Sequence, residues 1–378
     1  MTLYKKAILP IGFKAHALNC GIRKSNKLDL ALFYSDAPAK TAAVFTANKI
    51  IAAPLKINKK HLLMSRYFQA IIANSGNANA FTGTAGIKDA QETAKALSKA
   101  LKIKKEEVLV ASTGIIGKRL PAEKIKLAIP VLVKGLSLRG IQKAAHAIMT
   151  TDTFSKEMTA KFKLGGKQVT ICAVAKGAGM IAPNMATMLC FIFTDAFIAQ
   201  GALNKALKQA VDGSFNCITV DGCMSTNDNV ILMANAAAGN PLINTEAGYD
   251  LFAKALKLIT LELAKMIVKD AEGATKFIQI QVLKAKSVLE AKSVALNIAN
   301  SNLFKTAVYG QNPNFGRVVA AVGSSGIDVQ EKKLSVKLSP LKKKEVSVQV
   351  SLGRGQAQAT VYTSDLTPEY IKINAEYN

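Results

Sequence analysis

Apolar residues recur at spacings of three and four along parts of the chain and gather elsewhere into short, strand-length blocks. Ile87, Ala90, Ala94, Leu97 and Leu101 fall on one helical face across 87–103. Phe252, Leu256, Ile259, Leu263 and Ile267 do the same across 250–268, with lysines and acids on the opposite face. Shorter helical patterns span 201–212 and 286–300. Blocks rich in Val, Ile, Phe and Thr predict strands at 41–46, 68–73, 107–111, 167–175, 190–193, 277–282 and 318–322. Near the end, 346–352 and 356–363 flank Gly353-Arg354-Gly355, which predicts a hairpin. The pattern is that of a mixed α/β protein, with no Gly/Ser/Pro linker and no internal repeat.

Composition narrows this picture. The chain has 378 residues, 49% hydrophobic and 20% charged, and a mean hydropathy of +0.19, which excludes a disordered or low-complexity chain. No apolar stretch reaches the roughly 18–20 residues of a membrane span. Pro10, Gly12 and Lys14 interrupt any signal-peptide core after Met1–Lys6. The expectation is a soluble, cytoplasmic protein. Cys20, Cys172, Cys190, Cys217 and Cys223 lack metal-ligand spacing and read as reduced thiols. With His16, His61 and His146 as the whole histidine supply, a His-dependent triad or a His-rich metal site has little to draw on. No metal and no bound cofactor are expected.

The net charge of +25 raises nucleic acid or an anionic membrane as partners. Yet only six of the 50 basic residues are arginine, and the lysines are spread along helical faces, as at Lys99, Lys102, Lys104 and Lys105. Bidentate phosphate or guanine readout favours arginine, and no aromatics interleave with the basic residues. The charge reads as a lysine-rich surface, with neither nucleic acid nor membrane as partner.

Four segments break the periodic patterns with glycine and small polar residues. In Asn74-Ser75-Gly76-Asn77-Ala78-Asn79-Ala80 the asparagines suit a turn whose amides bond the backbone. Ser112-Thr113-Gly114-Ile115-Ile116-Gly117 follows a strand, and such a turn can aim donors at developing negative charge. Met149-Thr150-Thr151-Asp152-Thr153 can bond a ligand or cap a helix end. Lys176-Gly177-Ala178-Gly179-Met180 through Ala186-Thr187-Met188-Leu189 is glycine-rich but lacks the order of a phosphate loop. On chemistry alone each admits a purely structural reading.

Together these segments, with SFNCITVDGCMSTND at 214–228, resemble the ornithine acetyltransferase family, the bifunctional glutamate N-acetyltransferases of arginine biosynthesis. The resemblance runs from Gly12-Phe13 and Val44–Asn48 to Thr363–Leu366 and Ile373–Tyr377. Each motif is weak alone; their shared order along the chain is specific. The family implies a layered αββα, N-terminal-nucleophile-like fold that cuts itself before a threonine, here at Ala186–Thr187. The products are residues 1–186 and 187–378, whose two halves build one active site. Thr187 is then the nucleophile, with Thr113 and Gly114 as the oxyanion pair. Thr153, Lys176, Thr187, Glu272 and Asn374 fall at substrate positions. The implied reaction moves acetyl from N-acetylornithine to glutamate through acetyl-Thr187. The resemblance leaves open acetyl-coenzyme A as a second donor and implies an α2β2 assembly of cleaved chains.

Some positions depart from the family pattern. Cys223 and Asn312 stand where acids are usual, Phe315 where tryptophan is usual, and Phe81 where cysteine is usual. The family's usual hydroxyl residue five positions after the matched Asn374 has no counterpart before Asn378. These bear on substrate range and efficiency. Two other readings compete: a threonine-nucleophile hydrolase on the same scaffold, and a non-catalytic nucleic-acid-binding derivative prompted by the charge.

Overall fold

The computed structural model describes residues 1–182, 188–244 and 246–376. In chain order the elements are β1 (Thr2–Tyr4), β2 (Phe13–Leu18), β3 (Leu30–Phe45), α1 (Ala53–Met64), β4 (Phe68–Asn74), α2 (Gly83–Leu101), β5 (Val108–Ser112), α3 (Ala122–Lys134) and α4 (Ile141–Ala147). Then come β6 (Lys156–Leu164), β7 (Lys167–Lys176), β8 (Leu189–Thr194), α5 (Gln200–Asp212), β9 (Asn229–Ala234), α6 (Glu246–Lys269) and β10 (Phe277–Ala285). The chain closes with α7 (Val288–Ala299), α8 (Asn302–Tyr309), α9 (Gly316–Gly323), β11 (Ser335–Leu338), β12 (Glu345–Ser351), β13 (Ala357–Ser364) and α10 (Pro368–Glu376). Two compact units result. The first comprises Met1–Gly177, Asn184–Gly213 and Met224–Leu263, and the second Ala178–Pro183, Ser214–Cys223 and Ala264–Asn378.

In the first unit the long strand β3 belongs to two sheets. Its N-terminal half pairs antiparallel with β2 and β4, its C-terminal half with β9, and the register shifts between Tyr34 and Ala39. Pro38, which has no N–H to give a ladder, lies in that shift. One sheet thus runs β2-β3-β4-β5 and the other β1-β6-β7-β8-β9-β3. Side chains alternate across β3, β4 and β5. Ala31, Phe33, Phe68, Ile71, Leu109 and Ala111 join Val174, Phe191, Phe193 and Ile231 of the other sheet in one core. Leu30, Leu32, Ala70, Ile72, Val108 and Val110 face away, onto Leu97 of α2 and Ile125 and Ile129 of α3. Both faces of β4 and β5 are therefore covered, which is why these parallel neighbours read as continuous apolar runs. Helix α5 packs on β3, and Tyr249 of α6 donates to Gln209 of α5 at 2.6 Å. The layers are helix, sheet, sheet, helix, as the resemblance implies.

The second unit carries the sheet β11-β12-β10-β13. Ile278, Ile280, Val282, Val346, Val348 and Val350 pack with Ala291, Val294 and Ile298 of α7. Two strand expectations fail here. The stretch 318–322 lies within α9, where Val318, Ala321 and Val322 are buried at helical spacing; five apolar residues do not distinguish the two periods. The expected hairpin is also absent, because β10 lies between β12 and β13, parallel to the first and antiparallel to the second. Gly353, at φ +62°, turns the chain, and the N–H groups of Arg354 and Gly355 both bond the Lys284 carbonyl at the end of β10.

Phe33 is the centre of the inter-sheet core, with ring centroids 5.1 Å from Phe191 and 5.3 Å from Phe193. Phe33→Ala is expected to destabilise the protein by about 3–5 kcal/mol in equilibrium denaturation; a loss below about 1 kcal/mol would contradict this packing.

Candidate active site

Strand β7 ends at Lys176, whose side chain is 2% exposed. Its ammonium donates to Thr150 Oγ1 at 2.7 Å and to Thr113 Oγ1 at 3.4 Å, and lies 3.9 Å from Asp152 Oδ2. Asp152 is a hub. Oδ1 accepts from Lys156 Nζ and from the Gly177 N–H, both at 2.6 Å, and Oδ2 accepts from the Thr150 N–H at 2.9 Å. The Asp152 and Lys156 side chains have no exposed surface. Burial by itself would raise the Asp152 pKa. The Lys176 and Lys156 charges, with the hydrogen bonds from Lys156 and Gly177, outweigh it and hold the carboxyl at about 2.

Thr113 follows β5, and its N–H bonds the Asn74 carbonyl at the end of β4. Gly114 has φ +133°, and a Cβ there would stand 2.4 Å from Gly76 C and 2.5 Å from Asn77 N, so only glycine fits this close approach. The asparagines beside it are consumed by structure. Asn77 donates to the Lys118 and Arg119 carbonyls, Asn74 to the Asn77 carbonyl, and Asn79 to the Gly86 carbonyl. The structural reading of that segment holds, and its task is to shape the Thr113–Gly114 turn.

Asp228, immediately before β9, has one carboxylate oxygen accepting from the Met188 N–H at 2.6 Å. Its other oxygen is buried without a hydrogen-bond partner among the described residues. Burial raises its pKa well above the usual carboxylate range, against the opposing Met188 N–H and Lys176 charge. Beside it, Asn227 donates to the Ala78 and Ser112 carbonyls at 2.6 and 2.8 Å, tying the β9 entry to both turns. Among the described residues no histidine joins this network: His61 bonds the Val108 carbonyl and His146 the Gln142 carbonyl. No disulfide joins the five cysteines.

Within the first unit Thr113, Gly114 and Lys176 converge, and Thr153 sits exposed beside Asp152. Ala186 and Thr187 lie outside the described residues. Within the second unit, Asn374 of α10 donates to Glu272 Oε2 at 2.9 Å, and the Glu272 N–H bonds the Ala178 carbonyl. The Glu272 carboxylate lies where a Cβ on Gly179 would be, 2.3 Å from that position. In the same cluster Asp221 accepts from the N–H groups of Met180 and Ile181 and from the Tyr370 hydroxyl. Lys156, Asp228, Asp221 and Tyr370 were not among the expected site residues. The i, i+4 spacing of Asp152 and Lys156 is a faint signal for one of them; the others are visible only once the chain folds.

The depressed Asp152 pKa links stability to pH. A carboxyl with a lowered folded-state value contributes fully above its ordinary 3.8, and that contribution is lost as pH falls from there to about 2. Asp152→Asn is expected to cost about 3–5 kcal/mol near neutrality, by leaving buried lysine charge uncompensated. It should also flatten the acid limb between pH 4 and 2 in denaturation curves. A variant with wild-type stability would contradict the ion cluster.

A family model described as the ArgJ family matches residues 14–378. The arginine biosynthesis bifunctional protein ArgJ of Geobacter sulfurreducens is 47% identical over 388 residues, covering 97% of this chain and 98% of that protein. Its namesake from Caldanaerobacter subterraneus subsp. tengcongensis is 45% identical over 397 residues, covering 98% of each. A solved ornithine acetyltransferase from Mycobacterium tuberculosis, complexed with ornithine, is 37% identical. It covers 48% of this chain and 97% of its own, with a TM-score of 0.44.

Proposed function

Because the chain belongs to the ArgJ family, we propose that it is an autoprocessing glutamate N-acetyltransferase of arginine biosynthesis with Thr187 as nucleophile. The near-full-length match to bifunctional ArgJ proteins carries this reading, and the buried Lys176–Thr113 contact supports the chemistry.

In the precursor the Thr187 hydroxyl attacks the Ala186 carbonyl. The peptide C–N bond breaks as an ester forms, and water hydrolyses the ester to give chains 1–186 and 187–378. This covalent division is distinct from the two compact units. The freed α-amine of Thr187 has an ordinary pKa of about 7.7–8.0 and serves as base for its own hydroxyl. That arrangement replaces the histidine the site lacks.

Thr187 Oγ then attacks the acetyl carbonyl of N-acetylornithine. Thr113 Oγ1 accepts from the Lys176 ammonium, so its own proton is left to donate to the developing oxyanion, alongside the Gly114 N–H. The amine of ornithine leaves with a proton, and the α-amine of glutamate attacks acetyl-Thr187 to restore the hydroxyl. Acetyl-coenzyme A is the second donor that makes the enzyme bifunctional. Lys176 and Thr153 are the proposed partners of substrate carboxylate and amide groups, and Glu272 and Asn374 those of ammonium and polar groups. The cleaved chains assemble as α2β2. Among the described residues no helix is long and apolar enough to cross a membrane.

Two experiments test this reading. Denatured intact-mass measurement should give two chains summing to the 40.2 kDa precursor plus one water, the second beginning at Thr187. Thr187→Ala should give one uncut, inactive chain; cleavage or acetyl transfer by that variant would sink the proposal. In processed enzyme, Thr113→Ala should lower kcat by about 10²–10³, and an unchanged kcat would remove Thr113 from the oxyanion pair.

A further inference from the structure

A cavity in the first unit, of about 1020 Å³, lies along the C-terminal half of β3. Lys40, Lys59, Arg66 and Lys208 line it, and no carboxylate does among the described residues. The four cations are not equivalent. Lys208 is neutralised by Asp212 at 2.6 Å, and Lys40 donates to the Ile198 carbonyl at 3.0 Å. Lys59 stands 5.9 Å above the Phe45 ring, and Arg66 has no ion pair or hydrogen bond among the described residues. Glu106 and Glu107 belong to a smaller adjoining cleft that shares Arg66. Tyr67 contributes a ring that is 45% exposed.

The cavity wall is also a bare sheet edge. Residues 40–45 pair with β9 on one side, and among the described residues no strand pairs with them on the other. The Thr46 N–H bonds Asp228 in the direction of β9, while the Thr41 carbonyl accepts from Gln200 instead. By the alternation of an antiparallel ladder, the N–H groups of Thr41, Ala43 and Phe45 face the open edge. Backbone donors on a sheet edge, with unpaired cations above them, make an anion-binding concavity. The volume is at the upper end for a small-ligand pocket and far exceeds a single phosphate. Exposed Tyr67 offers a face on which an aromatic base can stack.

The cavity's Phe45 end lies two strands from the start of β8. Phe45 pairs with Asn229, which pairs with Leu189, two residues after Thr187 in sequence. Two ladder spacings place Leu189 about 10 Å from Phe45. A second copy of a chain with net charge +25 would bring like charge to this wall.

We propose that this cavity binds the phosphorylated adenine nucleotide end of an acyl-coenzyme A, with Lys59, Arg66 and the β3 edge as phosphate donors, so that its thioester arm extends past Phe45 toward the start of β8. The inference rests on the acetyltransferase reading above and supplies the nucleotide site that no phosphate loop in the sequence provides. In the transfer, the acetyl C–S bond breaks as the bond to Thr187 Oγ forms, and coenzyme A leaves as the thiol with the hydroxyl proton. Glutamate then takes the acetyl group as before.

The test compares wild type with the double variant Lys59→Ala/Arg66→Ala, both processed, using either donor. KM for acetyl-coenzyme A should rise on the order of tenfold or more, and adenosine 3′,5′-bisphosphate should lose affinity to the same degree by calorimetry. Transfer from N-acetylornithine should be unchanged, which also shows that the variant folds. Inorganic phosphate should compete with the bisphosphate only weakly; equal competition would make this a simple anion site and overturn the nucleotide assignment. An unchanged KM for acetyl-coenzyme A, or a wild type that uses N-acetylornithine but neither uses acetyl-coenzyme A nor binds the bisphosphate, would also overturn it. Failure of wild type with both donors would strike the acetyltransferase reading instead.

Discussion

Asp152 is buried between two buried lysines, and the surroundings of Thr113 depend on keeping that carboxylate charged. Taking three ionised groups out of water is costly. The cost is offset here because each carboxylate oxygen is hydrogen-bonded: Lys156 and the Gly177 N–H hold one, and the Thr150 N–H holds the other. With Asp152 anchored, Lys176 is left near Thr150 and Thr113 at the end of β7. An ammonium held by buried partners does not need to reorganise when charge develops beside it, which is the physical basis of electrostatic preorganisation.

The fold brings these groups together through strand ends. β5 delivers Thr113, β7 delivers Lys176, and β8 begins at Leu189 beside Asn229 of β9. The register shift in β3 lets one strand serve both sheets, so that the β5 end and the β7–β9 ends belong to a single packed body. Asn227 then ties the β9 entry to the Ser112 and Ala78 carbonyls. Beyond β4 the same strand has no further strand partner on that side among the described residues, and it shares a cavity with Lys59 and Arg66.

The lysine excess divides into different physical roles. Lys156 and Lys176 are buried and compensated. Others, such as Lys208 with Asp212 and Lys269 with Glu345, make exposed pairs worth little to stability. Among the described residues Arg66 has no ion pair and lines a cavity. Net charge alone does not separate these cases, because each depends on which carboxylate the fold places within reach.

Much was legible without coordinates. The helices at 87–103 and 250–268 appear as α2 and α6, since an amphipathic face repeated over four or more turns has one solution. The order of motifs carried a resemblance to the family, which the near-full-length family match bears out together with the fold class. Short apolar runs were not decisive: 318–322 became helix, and β10 came between the two strands flanking Gly353. Strand partners are chosen by burial across the whole sheet, which local pattern does not contain. The partners of Lys176, the burial of Asp228 and the bare edge beside Lys59 and Arg66 were likewise decided only by tertiary structure. The sequence determined which chemical groups the chain carries and in what order; desolvation and distance, which exist only after folding, decided how those groups are charged and what they can meet.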